Sequence, residues 1–259
     1  MRILFIGDLI GKPGRIALHQ AMPELRERAR PDFIIANGEN SAGGRGITER
    51  TAADIFAAGV DVITTGNHAF RHRDAYEFLD RAERVVRPAN YMTSSPGKGW
   101  VIVNRDGMRI GVINLAGMVQ MQVARSPFIE IETILERIGD RTDAIIVDFH
   151  AEITSEKVGM GWHLDGRVSG VFGTHTHVPT ADARVLPGGT ALICDVGMSG
   201  ATNSILGARV EQVLAGFRTQ MPGRLEVADG EVTISSVVVE IGADGLAKSI
   251  EQILLPVTR

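Results

Sequence analysis

Short apolar runs in this chain end on side chains that are able to bind a metal ion. Five such runs, rich in β-branched residues, are each followed by a carboxylate, an amide or an imidazole. Oxygen and imidazole ligands together suit a transition metal better than calcium, which prefers oxygen alone. The sequence therefore predicts a transition-metal site. Its candidate residues are Asp8, Glu39, Asn40, Asn67, His68, His150, His175 and His177.

The histidines His175 and His177 are separated by a single residue. On an extended chain, side chains at positions i and i+2 point the same way. The preceding Gly173 lets the backbone approach a site closely. Two surface histidines beside a loop would explain an isolated pair of this kind. Because this pair follows a predicted strand and His150 ends another, we interpret it as part of the site.

The sequence Gly66-Asn67-His68 is typical of a turn at the end of a strand. An Asn in such a place is ordinarily a turn residue. Here the turn can present Asn67 to a metal and His68 to a substrate, although His68 could instead stack on a ring or cap a helix. An imidazole titrates near neutral pH and can serve as a general acid. Its position beside a predicted ligand favours the acid role.

Glu39 follows an apolar run and precedes Asn40, so it is a candidate metal ligand. A carboxylate can bridge cations at the separation of about 3.5–4 Å that two-metal hydrolytic sites require. The alternative is that Glu39 and Asn40 merely begin the glycine-rich loop over 41–46. The parallel with Asp8, which also follows an apolar run, favours the ligand role.

The elements that must position these residues alternate between strand and helix in the first half of the chain. Such alternation predicts a parallel sheet. In an open α/β sheet, ligands bind outside the carboxyl ends of the strands, so the candidate side chains would gather there. The apolar spacing predicts helices over 15–30, 48–58 and 74–82, and strands over 33–36, 62–63 and 85–86.

The second half of the chain predicts a second sheet. Asp106-Gly107 between two apolar runs indicates a hairpin, where antiparallel pairing begins. Amphipathic spacing predicts helices over 128–138 and 205–221. His163 is expected in a loop, and the two last strands are expected on the second sheet. The predicted strands lie over 100–103, 110–113, 144–149, 168–173, 191–196, 232–241 and 250–255.

The length of 259 residues and the absence of a visible linker predict a single domain over 1–259. The expected architecture is α/β: a four-layer α-β-β-α sandwich, with two mixed sheets packed face to face and helices outside. A net charge of -4 gives no electrostatic footprint for long nucleic acids. No apolar stretch reaches the roughly 20 residues of a membrane span, and no signal peptide precedes the first strand, so a cytoplasmic protein is expected. The lone Cys194 excludes an intrachain disulfide.

Taken in order, the motifs resemble those of the calcineurin-like metallophosphoesterases. The Gly-Asn-His and Gly-x-His-x-His motifs are the most specific. The chain is most similar to the bacterial YmdB-type phosphodiesterases, which share Glu39 in place of the usual Asp and an isoleucine, Ile10, in place of the usual His. Further similarity to that group lies over 148–157 and 195–200.

The resemblance implies a centre of two divalent or mixed-valence ions, with iron or manganese expected. Asp8, Glu39, Asn40 and His177 would hold one ion. Glu39, Asn67, His150 and His175 would hold the other, with Glu39 bridging. The resemblance also implies that a hydroxide between the ions attacks phosphorus in line and that His68 protonates the leaving oxygen.

Three further residues are weaker candidates for contact with substrate. His163 could line the pocket and stack on a base, but it could equally pack within its loop or at a subunit contact, so a homo-oligomer stays open. Lys12 lies near a helix start, where backbone donors favour anions, although a solvated helix face explains it as well. Arg45 lies on the glycine-rich loop beside the predicted site.

The leading interpretation is a phosphodiesterase acting on small phosphodiesters such as 2′,3′- or 3′,5′-cyclic nucleotides, as the resemblance implies. One alternative is a phosphomonoesterase or phosphoprotein phosphatase. Few basic residues fall within the motifs, which favours the less charged diester. The other alternative is a non-enzymatic regulator that binds nucleotide or metal. His68 beside a full ligand set argues against it, because a binding protein has little use for an acid.

Overall fold

The strands of this protein form two sheets that pack against each other. The computed structural model describes residues 1–257. Buried, β-branched-rich segments form most of the strands, as expected for sheets covered on both faces. The strands are β1 (Arg2–Ile6), β2 (Phe33–Asn37), β3 (Val62–Thr64), β4 (Val85–Val86), β5 (Trp100–Arg105), β6 (Met108–Ala116), β7 (Ala144–His150), β8 (Gly170–Thr174), β9 (Arg184–Val185), β10 (Ala191–Ile193), β11 (Gly200–Ala201), β12 (Val232–Ile241) and β13 (Ala247–Val257).

The helices begin and end where local chemistry favours it. The Thr48 side chain accepts a hydrogen bond from the Thr51 N–H, and Thr51 bonds back to the Thr48 N–H, which forms a capping box. Arg30 is left-handed at the end of the first helix, just before Pro31. The helices are α1 (Gly11–Ala29), α2 (Glu49–Ala57), α3 (Ala75–Arg81), α4 (Pro127–Ile138), α5 (Thr154–His163) and α6 (Val210–Thr219), with a short 3₁₀ turn at Gly139–Arg141.

The first sheet has the strand order β11-β12-β1-β2-β3-β4, with β13 paired to β12. Strands β1 to β4 are parallel, as the alternation of strands and helices predicted. Their carboxyl ends therefore lie at one edge of the sheet. Asp8, Glu39 and Asn67 follow β1, β2 and β3 at that edge.

The second sheet has the order β5-β6-β7-β8-β10-β9. The predicted hairpin is confirmed, because β5 and β6 pair antiparallel with Arg105 opposite Met108. Strands β6, β7 and β8 are parallel, so His150 at the end of β7 lies beside Thr174 at the end of β8. This register brings His150 and the segment of His175 and His177 together.

Apolar side chains fill three separate layers. Phe5, Phe33 and Phe172 belong to the core between the two sheets. A second core packs α1 and α2 on the outer face of the first sheet. A third packs α4 and α5 on the outer face of the second sheet. The prediction of a four-layer α-β-β-α sandwich is therefore confirmed.

The two last strands were expected on the second sheet, and this prediction is wrong. Strand β12 pairs antiparallel with β1, with Phe5 opposite Val237, and β13 pairs with β12. Alternating apolar residues identify a strand but not its neighbour. Pairing between the two ends of the chain is set by tertiary packing, which local periodicity does not encode.

Two other local predictions require correction. His163 is the last residue of α5 and not part of a loop. The helix predicted over 205–221 begins only at Val210, because Ile205 and Ala208 exchange backbone hydrogen bonds around a tight turn. Leu206 has φ 51° and Gly207 has φ 91° within it. Two central residues with positive φ are typical of a type I′ turn, which a helix cannot contain.

We predict that Gly173→Ala lowers the free energy of unfolding by about 3 kcal/mol, because a Cβ there would collide with the Cys194 carbonyl oxygen. Gly216→Ala in α6 is the matched control. Within the described residues its Cβ would meet no atom within 4 Å, so it should raise that free energy by about 0.5–1 kcal/mol. Urea denaturation measures both. Equal effects of the two substitutions would contradict the close approach at Gly173.

Candidate metal centre

Glu39 lies at the centre of the cluster and is 1% exposed. Its Oε1 lies 3.0 Å from His150 Nε2, and its Oε2 accepts a hydrogen bond of 3.1 Å from the His68 N–H. Burial alone would raise the pKa of Glu39. The charge and hydrogen bond of His150 outweigh that effect, with help from His68, and hold the pKa at about 2. Glu39 is therefore a buried carboxylate that stays ionised.

Gly66 gives Glu39 and His150 the room to meet. A Cβ at this position would overlap both the Glu39 carboxylate and the His150 ring. The residue belongs to the turn after β3 that carries Asn67 and His68. Only a glycine lets this backbone pass so close to the two side chains.

The His150 ring is held in one tautomer by the protein. Thr174 Oγ1 donates to Asp148 Oδ1 at 2.6 Å, so it accepts the hydrogen of His150 Nδ1 at 2.8 Å. With its hydrogen on Nδ1, a neutral His150 directs the lone pair of Nε2 into the cluster. Support of a metal-binding imidazole through its other nitrogen is common in metal sites.

Several acceptor atoms converge on His150 Nε2. Asn67 Oδ1 lies 3.0 Å away and His175 Nδ1 lies 3.1 Å away, in addition to Glu39 Oε1. Lone pairs that face each other need a shared positive charge. In metal-free protein a proton on His150 Nε2 supplies this charge: burial lowers the pKa of His150, but Glu39, Asp8 and Asp148 together raise it to about 9. Ligand atoms of Glu39, His150 and His175 lie within 4.8 Å of one another, a spacing that fits a metal ion.

A second group of candidate ligands also lies near Glu39. His177 Nε2 is 3.1 Å from Asn40 Nδ2 and 3.9 Å from Asp8 Oδ1. His177 Nδ1 lies 3.1 Å from the Leu206 carbonyl oxygen, to which it can donate, so Nε2 is free to bind a metal. Asn40 Nδ2 is also 3.5 Å from Glu39 Oε1. The amide nitrogen and oxygen of Asn40 can exchange places by a flip.

Asp8 supplies the clearest sign that a cation belongs here. It is fully buried, and burial raises its pKa. Its Oδ2 accepts a hydrogen bond of 3.2 Å from the His175 N–H, but among the described residues Oδ1 has no hydrogen-bond partner. A buried carboxylate oxygen without a partner costs free energy, which a bound cation would offset. The donor set of carboxylate, amide and imidazole fits a transition metal.

The loop that carries His175 and His177 is strained. The φ angles of these residues are 96° and 65°, in the left-handed region that non-glycine residues rarely adopt. Thr176 between them binds Asp195 Oδ2 through its N–H at 3.1 Å and its hydroxyl at 2.7 Å. The Lys157 ammonium lies 2.8 Å from the same oxygen. This buried network holds both histidines toward the cluster.

Sequence reasoning did not assign roles to several residues that support the ligands. Glu152 Oε2 lies 2.9 Å from His175 Nε2, which leaves His175 Nδ1 free to face the cluster. Burial, with repulsion from His150, lowers the pKa of His175 to about 3. Asp148, Lys157 and Asp195 were noticed only as part of the resemblance. The signal that could have found them is a charged residue within an apolar run or on the buried face of a helix.

His68 lies at the rim of the cluster and is partly buried. Its backbone N–H is fixed to Glu39, and its side chain lines a cavity together with Asn67. Burial lowers the pKa of His68, and the charges of Arg45 and Arg71 lower it further, whereas Glu39 opposes them. The predicted acid therefore lies between the ligand cluster and an open space.

The weaker candidates lie in different places. Arg45 is close enough to affect His68 electrostatically, and its carbonyl oxygen lies 2.9 Å from His72 Nε2. Lys12 lines a separate cavity of about 320 Å³. His163 packs on Phe128 with the ring centroids 5.5 Å apart and lies 2.8 Å from Glu132. These contacts are with α4, so only Arg45 of the three is placed beside His68.

A layered α/β sandwich with these candidate ligands at its strand ends indicates a metallophosphoesterase. The family model of the YmdB-like proteins matches residues 4–253, and the chain belongs to this family. The predicted resemblance is thereby confirmed. No helix among residues 1–257 is long and apolar enough to cross a membrane.

Three relatives are similar over almost their whole length. The 2′,3′-cyclic-nucleotide 2′-phosphodiesterase of Bacillus subtilis is 44% identical, over 98% of this chain and 97% of the relative. A crystal structure of a hypothetical protein from Thermus thermophilus has a TM-score of 0.93 and 39% identity, covering 99% of each chain. The structure of a novel phosphatase from Mycoplasma pneumoniae has a TM-score of 0.91 and 32% identity, covering 99% of this chain and 93% of the other.

Replacement of Asp8 tests the second group of ligands. We predict that Asp8→Asn lowers the number of metal ions bound per chain, because the variant loses an anionic ligand. In metal-free protein the same change should leave the free energy of unfolding unchanged or raise it by about 1 kcal/mol, because a buried charge is removed.

The control is Asp143→Asn. Asp143 forms an ion pair of 2.7 Å with Arg109 on the surface, outside the cluster. The substitution Asp143→Asn should leave the metal content unchanged. Elemental analysis and urea denaturation give the two quantities. Full metal content in Asp8→Asn would remove Asp8 from the ligand set.

Proposed function

We propose that this protein hydrolyses small phosphodiesters such as 2′,3′- or 3′,5′-cyclic nucleotides at a two-metal centre bridged by Glu39. The observation that carries the proposal is that this buried carboxylate contacts both groups of candidate ligands, through His150 and through Asn40. The predicted class, a phosphoric diester hydrolase, agrees with the name of the Bacillus subtilis relative. We further propose that residues 1–259 act as one domain.

The residues present fit two metal ions, for which we propose iron or manganese. His150, His175 and Asn67 would hold one ion. Asp8, Asn40 and His177 would hold the other, with Glu39 shared between them. When bound, such ions stabilise charge on phosphoryl oxygens and provide a nucleophile from water at neutral pH.

His68 is the proposed acid for the leaving oxygen. Its N–H bond to Glu39 fixes its backbone relative to the ligands, while its imidazole lines the cavity that a substrate would enter. The ring can therefore hold a proton close to the phosphate without being a ligand itself. A general acid positioned in this way contributes about 10²–10⁴-fold to a rate.

Hydrolysis of a phosphomonoester is the second candidate function. Arg45 and Arg71 place positive charge near His68, where a dianionic monoester would be stabilised more than a diester. The Mycoplasma pneumoniae relative is described as a phosphatase, which agrees with this alternative. A non-enzymatic regulator is less well supported, because a pure binding protein does not need an imidazole beside the ligands.

The choice between diester and monoester can be measured directly. Metal-free protein is reloaded with iron, manganese or zinc, its metal content is counted, and hydrolysis of bis-p-nitrophenyl phosphate is compared with that of p-nitrophenyl phosphate. We expect two ions per chain and a higher kcat/KM for the diester. A higher kcat/KM for the monoester would favour the phosphatase, and metal binding without turnover of either would favour the regulator.

A substitution of His68 tests its role as the acid. His68→Gln should reduce kcat by about 10²–10⁴-fold and leave the metal content unchanged, because the proton donor is lost but no ligand is. His19→Gln is the control, since His19 lies on α1 and contacts Asp54. Turnover by His68→Gln at the rate of the unmodified protein would exclude the acid role.

A further inference from the structure

A cavity of about 820 Å³ opens beside the proposed metal centre. Asn67 and His68 form the part of its wall that adjoins the metal ligands. Phe70 continues this wall from the same segment. The rest of the wall comes from two segments more distant in sequence, which include Tyr91, Met92, Gln120, Met121 and Gln122. The cavity therefore adjoins the candidate ligands through Asn67 and His68.

Aromatic and thioether groups form one side of the cavity. The Phe70 and Tyr91 rings lie 6.0 Å apart at an interplanar angle of 39°. The Tyr91 hydroxyl donates to the Gly66 carbonyl oxygen at 3.5 Å, which links this wall to the turn that carries Asn67. Met92 is 61% exposed although it is large and apolar. Rings and methionine sulfur atoms favour contact with a flat, polarisable ligand.

Amide groups form another part of the cavity wall. Gln120 and Gln122 are exposed, and among the described residues neither side chain makes a hydrogen bond. A primary amide both donates and accepts, so it can pair with the edge of a heteroaromatic ring. Such a combination of apolar walls and a few free polar groups is typical of small-molecule sites.

The size and charge of the cavity restrict its occupant. Small-molecule sites commonly measure about 300–1,000 Å³, far more than a phosphate group alone requires. Arg71 is the cation of the wall, and the whole chain carries a net charge of -4. This charge is unsuitable for a long polyanion but sufficient for one phosphate beside a neutral ring system.

We propose that this cavity is the nucleobase site of the enzyme, in which the base lies against Phe70, Tyr91 and Met92 and the amides of Gln120 and Gln122 contact its edge. The inference rests on the proposed function, because it takes the phosphate to be held at the metal centre. The ribose then spans the distance from the metal centre to the cavity, past His68. A cyclic nucleotide fills both parts of the site, whereas a phosphodiester without a base fills only one.

The test compares adenosine 2′,3′-cyclic phosphate with ribose 2′,3′-cyclic phosphate, which lacks the base. Stacking of one base gives roughly a 5- to 150-fold gain in binding, so we expect kcat/KM to be higher for the adenosine compound by that factor. The double variant Met92→Ser with Gln122→Ala should reduce this ratio at least 5-fold. Both side chains are exposed, so the variant should fold.

Met221→Ser is the matched control. Met221 is 68% exposed and follows α6, outside the cavity wall, so this variant should keep the ratio of the unmodified protein. Equal kcat/KM for the two substrates in the unmodified protein would overturn the inference. A double variant with an unchanged ratio would overturn it as well.

Calorimetric titration with free adenosine separates this inference from the proposed function. If neither these two compounds nor adenosine 3′,5′-cyclic phosphate nor bis-p-nitrophenyl phosphate is hydrolysed with iron, manganese or zinc, the proposed function fails. Adenosine binding that the double variant weakens at least 5-fold would still support a nucleoside site in the cavity. No adenosine binding, or equal binding by the double variant, would overturn the inference regardless of activity.

Discussion

The concentration of buried negative charge at one edge of the two sheets constrains the whole structure. Asp8, Glu39, Asp148 and Asp195 are all buried there. Each ionised carboxylate must be compensated, or its desolvation would outweigh the free energy of folding. Asp195 is paired with Lys157, and Glu39 with His150 and the His68 N–H. Asp8 keeps one oxygen without a hydrogen-bond partner among the described residues, with only the His177 ring 3.9 Å away, and this imbalance points to a cation in the folded protein.

Asp148 shows how this charge also aligns the two sheets. Its side chain extends from β7 of the second sheet and accepts hydrogen bonds from Asn37 and Thr64 of the first. On its other oxygen it accepts from Thr174, which in turn orients His150. Burial raises the pKa of Asp148 to about 6, although these hydrogen bonds favour its ionised form. These hydrogen bonds link the otherwise apolar faces of the two sheets. They thus fix the position of His150 relative to Glu39.

In the proposed site, the chemistry and the recognition of the substrate are assigned to separate parts of the structure. The candidate ligands lie at the ends of strands, and rigid elements of this kind can hold a metal site to the precision that it needs. The cavity beside His68 is lined by longer connecting segments, in which residues such as Met92 and Gln122 can vary without disturbing the sheets. The candidate ligands lie within residues 4–253, which the YmdB-like family model matches. Substrate preference would be determined in the cavity beside His68.

The sequence by itself determined the identity of the candidate ligands and the layered fold. Each candidate ligand follows a short apolar run, and such runs identify strands without showing which strands they pair with. Only the tertiary structure decided that β12 and β13 pair beside β1, that His163 ends a helix, and that Glu152, Thr174 and Asp195 support the histidines. These facts depend on contacts between segments far apart in the chain. Local periodicity carries no information about such contacts, because packing and register choose among strands that look alike in sequence.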